Sequence, residues 1–227
     1  MVNVFQRLTV SLRGHGLMAT LAKIRVLLAD YWFDFRYGVD TCSWSELEGL
    51  TIASDNRARG NRYQPTRLLL LRRLFKAVEP ALPADRVLVD FGSGKGRVLL
   101  VASEFGFREA RGVEFAHELC ETSRRNVTRY KARTRVRMEF SIIESDAARY
   151  QICPEENVFI LCNPFDGTIL KAVLDNITAS IQKHPRKVWI MYYNPRWSQV
   201  VEQQNDFARF EEFTYWGFKF TVYSSRC

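Results

Sequence analysis

From residue 86 onward, the apolar positions along the chain follow two alternating patterns. Short apolar runs predict buried strands, and the segments between them have apolar residues at the three- and four-residue spacing of helices. The predicted strands span 86–91, 110–115, 136–143, 157–163 and 187–194. Such alternation predicts an α/β fold with a mostly parallel sheet, in which ligands bind beyond the C-terminal ends of the strands.

The last part of the chain has a different pattern. Residues 209–225 read as two strands that turn at Trp216 and Gly217, so we expect an antiparallel terminal hairpin at one edge of the sheet. The predicted helices span 67–79, 95–105, 117–130, 167–182 and 197–204.

The N-terminal part predicts a helical extension followed by irregular chain. In residues 1–33, apolar residues recur at roughly helical spacing, at Leu17, Leu21, Ile24, Leu28 and Trp32. This stripe fits either a helix for a membrane surface or partner, or a helix packed on the main domain. We favour the packed helix, because the polar face is only modestly basic. We divide the chain into an extension and lid segment, 1–62, and a main domain, 63–227.

Composition narrows the class of protein without identifying a partner. The chain has 227 residues, of which 47% are hydrophobic and 26% charged, as in soluble globular proteins. Five scattered cysteines without a C-x-x-C pair predict reduced thiols, a cytoplasmic protein and no zinc site. No apolar run is long enough for a transmembrane segment. The net charge of +8 leaves nucleic acid, an acidic protein surface or a phosphorylated small molecule open as partners.

The segment VLVDFGSGKGRVLL, residues 87–100, contains the most informative motif. Its glycines, Gly92, Gly94 and Gly96, match neither a phosphate-binding P-loop nor the G-x-G-x-x-G spacing of dinucleotide-binding proteins. Asp90 ends the preceding strand, where a carboxylate would repel a pyrophosphate and attract an ammonium group. The loop is therefore expected to bind a ligand with a cation near this strand end.

Acidic residues also follow the next two predicted strands. Glu114 lies about 20 residues after the glycines, where an acid accepts hydrogen bonds from a ribose diol. Asp146 follows the third strand, where a carboxylate can accept from an adenine amino group. Ammonium, ribose and adenine together describe S-adenosyl-L-methionine.

Four motifs together, VDFGSGKG, GVEF, SDA and LCNPF, resemble those of the class I S-adenosylmethionine-dependent methyltransferases over residues 63–225. The resemblance implies a Rossmann-like, seven-stranded sheet with a reversed last strand. With the preceding NRYQPT, the motifs resemble the seven-strand lysine methyltransferases more closely. The chain also resembles uncharacterised bacterial methyltransferases that have an N-terminal RYGVDT segment.

The resemblance also implies roles for individual residues. The cofactor is expected to contact Asp90, Gly92, Ser93, Gly94, Gly96, Glu114 and Asp146, with Tyr63 and Thr66 in a lid above it. Asn163, Pro164 and Phe165 follow the fourth strand, where this family meets its methyl acceptor. The segment Tyr192–Pro195 after the fifth strand is a second candidate for the acceptor pocket. Lys95 is expected to face solvent or the ligand's carboxylate.

These residues predict methyl transfer to a nitrogen atom. A protein lysine is the favoured acceptor, and the alternatives are a small molecule or RNA. Amino-methylating relatives carry Asp/Asn-Pro-Pro-Tyr/Phe at the acceptor motif, and the single Pro164 weighs against a nucleobase. We expect no dedicated general base, with Asn163 positioning the nucleophile. A binding module without catalysis and an NAD-dependent oxidoreductase are the remaining rivals.

Overall fold

A computed structural model describes the backbone of residues 4–215 and 217–226, with side chains from residue 21 onward. Its centre is one seven-stranded sheet with the strand order β3-β2-β1-β4-β5-β7-β6. The strands are β1 (Val87–Phe91), β2 (Glu109–Glu114), β3 (Glu139–Glu144), β4 (Val158–Leu161), β5 (Trp189–Tyr193), β6 (Phe207–Tyr215) and β7 (Phe218–Ser225).

The strand directions confirm the expected fold class. Strands β1 to β5 run parallel, β7 is antiparallel to β5, and β6 is antiparallel to β7. Gly217 has a φ of 80°, a left-handed value that glycine adopts readily, at the turn between β6 and β7. Trp216, the other residue of the expected turn, lies outside the described residues.

Helices cover both faces of the sheet. They are α1 (Val4–Tyr37), α2 (Leu68–Val78), α3 (Arg97–Ala102), α4 (His117–Arg133), α5 (Gly167–Lys183) and α6 (Ser198–Glu202). Because side chains alternate along a strand, β1 contributes Leu88 to the core under α1–α4 and Val89 to the core under α5 and α6. All five residues of β1 are buried, as expected for the central strand of a covered parallel sheet.

The N-terminal helix packs on the domain, but through a different side from the one expected. From residue 21 onward, its buried side chains are Val26, Asp30 and Phe33. Of the expected stripe, Leu21, Leu28 and Trp32 are exposed and Ile24 is half-buried. The side chain of Leu17 lies outside the described residues. The expectation was wrong because both sides of the helix are apolar, and periodicity alone does not say which side faces the core.

Between α1 and α2 the chain has only short 3₁₀ turns, at Leu47–Gly49 and Asp55–Arg59, and isolated bridges. Residues 51–66, here called the covering segment, run across the C-terminal ends of several parallel strands. Among the described residues, no helix is long and apolar enough to cross a membrane.

Candidate functional site

The glycine loop leaves β1 at the middle of the sheet and turns back sharply into α3. Gly92, Gly94 and Gly96 have φ values of 72°, 53° and 81°. A Cβ at Gly92 would lie 2.3 Å from the Pro164 side chain, and one at Gly94 would lie 2.2 Å from the Tyr63 ring. The loop therefore needs glycine both for its backbone angles and for the close approach of two other segments.

Asp90 is a buried carboxylate without a full set of partners. Its side chain is 1% exposed, and its Oδ1 atom has no hydrogen-bond partner. Burial, with the nearby Glu114 carboxylate, raises the pKa of Asp90 well above its usual value. An unpaired buried carboxyl is costly, so such a group is a candidate for binding a ligand cation.

Glu114, at the end of β2, is also buried but is hydrogen-bonded. Its Oε2 accepts from the Gly94 backbone N–H at 2.8 Å, and its Oε1 accepts from the N–H groups of Phe115 and Ala116. Burial raises the pKa of Glu114, and these backbone donors partly offset that effect. The carboxylate thus connects the ends of two neighbouring strands on the floor of the cavity.

Asp146 lies in the same cavity, where it holds the covering segment. Its Oδ2 accepts from the Ser54 hydroxyl and the Asn56 amide, and its Oδ1 accepts from the Ala148 N–H. Burial alone would raise the pKa of Asp146, but these hydrogen bonds outweigh it and lower the pKa. Contact with an adenine amino group stays a prediction for this residue.

The covering segment is also paired with the acceptor motif after β4. The Asn61 N–H donates to the Pro164 carbonyl at 2.9 Å, and the Asn61 side chain donates to the Asn163 carbonyl at 2.8 Å. Gly60 and Phe165 form an antiparallel bridge beside these bonds. The loop that carries Asn163 is thus held by main-chain and side-chain hydrogen bonds from a segment about 100 positions away.

Tyr63 and Thr66 line the cavity near the glycine loop. The Tyr63 ring lies against Gly94, and its hydroxyl donates to the Thr41 carbonyl at 2.8 Å. The Thr66 carbonyl accepts from the Arg97 guanidinium at 3.2 Å. Both residues therefore belong to the wall of the cavity.

Lys95 does not face solvent, contrary to expectation. Its side chain is buried, and its ammonium pairs with Asp40 at 3.0 Å and lies 5.6 Å from the centre of the Tyr63 ring. The Lys95 side chain can be buried behind the glycine loop only because Asp40 neutralises the charge of its ammonium group. Lys95 thus ties residues 38–43 to the back of the loop.

Arg97 is a buried residue that sequence reasoning missed. Its guanidinium pairs with Asp30 of α1 at 2.8 Å and donates to the Thr41 hydroxyl at 2.8 Å. Asp30 also pairs with Arg67 at 3.0 Å and caps the Leu68 N–H. No local pattern indicates this network, because its partners come from segments far apart in the sequence.

The acceptor motif combines a strained backbone with an unpartnered amide. Asn163 has a φ of 55°, which is uncommon for a residue other than glycine, and its buried Oδ1 has no hydrogen-bond partner. Phe165 beside it is nearly buried. An amide oxygen held in this way can accept a hydrogen bond from an N–H group.

Aromatic side chains form the opposite wall of this end of the cavity. Tyr193 and Phe218 line it, with their ring centres 5.9 Å apart, and Tyr193 also packs on Phe220 at 4.8 Å. Burial raises the pKa of the Tyr193 hydroxyl, so this residue is neutral at physiological pH. Asn194 and Arg196 complete the lining.

Ten of the expected site residues line one cavity. Its volume is about 460 Å³, which is in the range of small-molecule sites. Those residues are Asp90, Gly92, Ser93, Glu114, Asp146, Tyr63, Thr66, Asn163, Pro164 and Phe165. Gly94 and Gly96 lie behind this lining in the glycine loop. The unpartnered Asp90 and Ser93 side chains fit the amino-acid end of S-adenosylmethionine.

Comparisons with known proteins rest on structure. No protein-family model and no curated protein matches the sequence. A "putative RNA methyltransferase" from Pyrococcus horikoshii matches with a TM-score of 0.54 at 16% identity, over 79% of this chain and 92% of that one. A ribosomal protein L11 methylase from Lactobacillus delbrueckii subsp. bulgaricus matches with a TM-score of 0.51 at 12% identity, over 70% and 79%.

A third structure, described as a "putative methyltransferase" from Escherichia coli, matches with a TM-score of 0.53 at 16% identity, over 70% of this chain and 87% of that one. Identities this low establish the shared fold. The fold expected from the motifs is confirmed: the chain has the Rossmann-like, seven-stranded fold of the class I S-adenosylmethionine-dependent methyltransferases.

Proposed function

We propose that this protein is an S-adenosylmethionine-dependent methyltransferase that methylates an amino nitrogen of a nucleobase in RNA, an acceptor that the single Pro164 of the sequence did not favour. The main support for this cofactor is the buried side chain of Asp90, whose carboxylate has an unpartnered oxygen near the end of the central strand. A ligand ammonium would supply the missing partner and relieve the cost of burying this charge.

The order of polar groups along the sheet supports the same cofactor. Asp90 ends β1, Glu114 ends β2 and Asp146 follows β3, and these strands are neighbours in the sheet. An ammonium, a ribose and an adenine bound in that order would match the three carboxylates. A pyrophosphate on the glycine loop would lie against the Asp90 carboxyl, which weighs against a dinucleotide.

When bound, S-adenosylmethionine supplies an electrophilic methyl group, whose bond to sulfur breaks, with its electron pair left on a neutral thioether, as the bond to nitrogen forms. Asn163 positions the acceptor by accepting one N–H hydrogen bond on its free Oδ1. The walls formed by Phe165 and Tyr193 exclude water from the reacting atoms. Such positioning is worth up to about 7–11 kcal/mol, and the nitrogen releases its proton to solvent after transfer.

The acceptor end of the cavity favours an anionic, planar substrate. Its charged lining residues beyond Asn163 are Arg67, whose charge is paired with Asp30, and Arg196, and the carboxylates lie at the cofactor end. A guanidinium repels a protonated lysine and attracts a phosphate. Phe218 and Tyr193 offer ring faces on which a base can stack.

The surface around the cavity mouth has the same character. Trp44, Trp197 and Phe218 are partly exposed, and the Arg62 guanidinium lies 4.9 Å from the centre of the Trp44 ring. Aromatic faces with adjacent arginines are the usual means of binding single-stranded nucleic acid. A structural neighbour described as a "putative RNA methyltransferase" supports this acceptor; another is described as a ribosomal protein L11 methylase, and neither description names the lysine expected from the sequence.

The test uses S-adenosylmethionine with a labelled methyl group and a cell lysate separated into RNA, protein and small-molecule fractions. We expect label in RNA, lost with Asp90→Asn and kept with Asp85→Asn, an exposed carboxyl away from the cavity. Label in protein or small molecules instead would overturn the RNA acceptor. No label in any fraction would overturn the proposed activity.

A further inference from the structure

The outer side of α1 is an apolar surface that the described part of the chain leaves uncovered. Leu21, Leu28, Trp32 and Phe35 are spaced by seven, four and three positions, which places them on one side of a helix. Leu28 is 63% exposed, Trp32 56% and Phe35 85%. Tyr31 beside them is also exposed. Exposed large side chains grouped in this way mark an interaction surface.

This surface is distinct from the side of α1 that belongs to the fold. Phe33 is buried in the core, and Asp30 is held by Arg97 and Arg67. Asp34 accepts hydrogen bonds from the backbone and side chain of Thr41. The inner side thus fixes the orientation of the helix, and its two carboxylates are both used there.

The charges around the outer side are positive. Between residues 4 and 29 the sequence has no acidic residue, and its basic residues are Arg7, Arg13, Lys23 and Arg25. At the other end of the helix, Arg36 is exposed, and Arg129 donates to the Gly38 carbonyl at 3.2 Å. Exposed Arg133 lies where a Cβ of Gly38 would be. On the described part of the helix, the exposed Arg25 and Arg36 therefore border the apolar surface, and the arginines of α4 lie just beyond its end.

We propose that the outer side of α1 binds the surface of an anionic lipid bilayer. Leucine and phenylalanine side chains enter the boundary between headgroups and acyl chains, tryptophan and tyrosine favour that interface, and bordering arginines bind anionic headgroups. A second copy of the chain would bring two basic helices together, which like charges oppose. RNA would use the arginines but leave Leu28 and Phe35 exposed to water.

The experiment is co-sedimentation of the full chain with vesicles of phosphatidylcholine, with or without phosphatidylglycerol. We expect binding to the mixed vesicles, weaker binding to phosphatidylcholine alone, and loss of binding as salt is raised. The double variant Leu28→Glu/Trp32→Glu is expected to reduce binding by about tenfold or more, because two anchoring side chains become charged. Arg25→Glu/Arg36→Glu is expected to reduce binding to the mixed vesicles only.

Phe210→Glu is the matched control, since Phe210 is an exposed apolar residue on β6, away from the helix. It is expected to leave vesicle binding unchanged. Thermal unfolding of each variant shows that the fold is retained. Absence of sedimentation with mixed vesicles at low salt would overturn the proposal.

Two further outcomes would assign the surface to another partner and also overturn the proposal. The first is a dimer in light scattering that Leu28→Glu/Trp32→Glu converts to a monomer. The second is RNA binding that the same double variant abolishes while vesicle binding is absent.

Discussion

Asn163 and Asn194 occupy equivalent positions at the ends of two adjacent parallel strands. Leu161 of β4 pairs with Tyr192 of β5, and each asparagine follows two positions later with a proline after it. Both have left-handed backbone angles, with φ values of 55° and 48°. Strained residues of this kind are concentrated at functional sites, and both line the acceptor end of the cavity.

The first prediction distinguishes the role of the Asn163 side-chain amide from the role of its left-handed backbone. Asn163→Gly tolerates the left-handed angle and removes only the side chain. We expect S-adenosylmethionine affinity to be kept and kcat to fall about 10²–10³-fold, the cost of losing one positioned polar group. Asn194→Gly, the matched change on the next strand, is expected to raise KM for the acceptor with a smaller effect on kcat.

Single-turnover methyl transfer with saturating cofactor measures these effects. Full turnover by Asn163→Gly would contradict the positioning role, whatever its affinity for the cofactor.

The second prediction concerns stability at Asp90. Its folded-state pKa is raised by burial, so the folded protein holds this proton more tightly than the unfolded chain does. The free energy of unfolding therefore falls as pH rises from about 3.9, the unfolded value, through the raised folded value. Asp90→Asn removes this loss, and we expect its Tm at neutral pH to exceed that of the wild type by several degrees.

Thermal melts of the free protein from acidic to neutral pH measure the difference, with Asp85→Asn as the control that leaves Tm unchanged. A lower Tm for Asp90→Asn at neutral pH would mean that the carboxylate has a stabilising partner in the fold.

The third prediction is the pH dependence of cofactor binding. A bound ammonium favours the ionised carboxylate, so binding lowers the pKa of Asp90 and releases a proton over the range below the raised free value. Affinity for S-adenosylmethionine should thus rise with pH across that range and then level off. Calorimetry in buffers of different ionisation enthalpy detects the released proton. Affinity that falls with rising pH would contradict this account.

The fourth prediction tests the contact between Gly94 and Tyr63. Gly94→Ala is expected to lower the free energy of unfolding by about 2 kcal/mol or more, from left-handed strain and from the clash with the ring. In a Tyr63→Ala background the same change should cost only the strain, about 1 kcal/mol. Gly217→Ala is the matched control, because Gly217 also has a positive φ, but apart from its chain neighbours no atom of the described residues lies within 4 Å of its Cβ position.

Denaturant unfolding of the four proteins in this cycle measures the coupling. Equal costs in both backgrounds would show that the ring does not restrict Gly94.

The features predicted correctly from the sequence depend on residues that are close together along the chain. The mostly parallel sheet follows from alternating strands and helices, and Asp90 is identifiable because it lies two positions before the first glycine of the loop. The covering segment was not predictable in the same way. Its contact between Ser54 and Asp146 joins positions 92 apart, and nothing near either residue indicates the other.

The errors in placing Lys95 and in choosing the packed side of α1 have the same origin in long-range pairing. Lys95 has the sequence context of a surface residue, and only its pairing with Asp40 explains its burial. The inner side of α1 includes Asp30, which an apolar stripe excludes, and its burial depends on Arg97. Buried ion pairs between distant segments are invisible to hydrophobic periodicity.

The most direct test of the account is a calorimetric titration of the wild type and of Asp90→Asn with two ligands. One is S-adenosylmethionine, and the other is 5′-methylthioadenosine, which has the same nucleoside but no ammonium. We predict that the variant loses about 100-fold or more in affinity for the first ligand and keeps its affinity for the second, since a charged hydrogen-bonded partner is lost only for the first. Equal binding of S-adenosylmethionine by both proteins, or no binding by the wild type, would contradict the account.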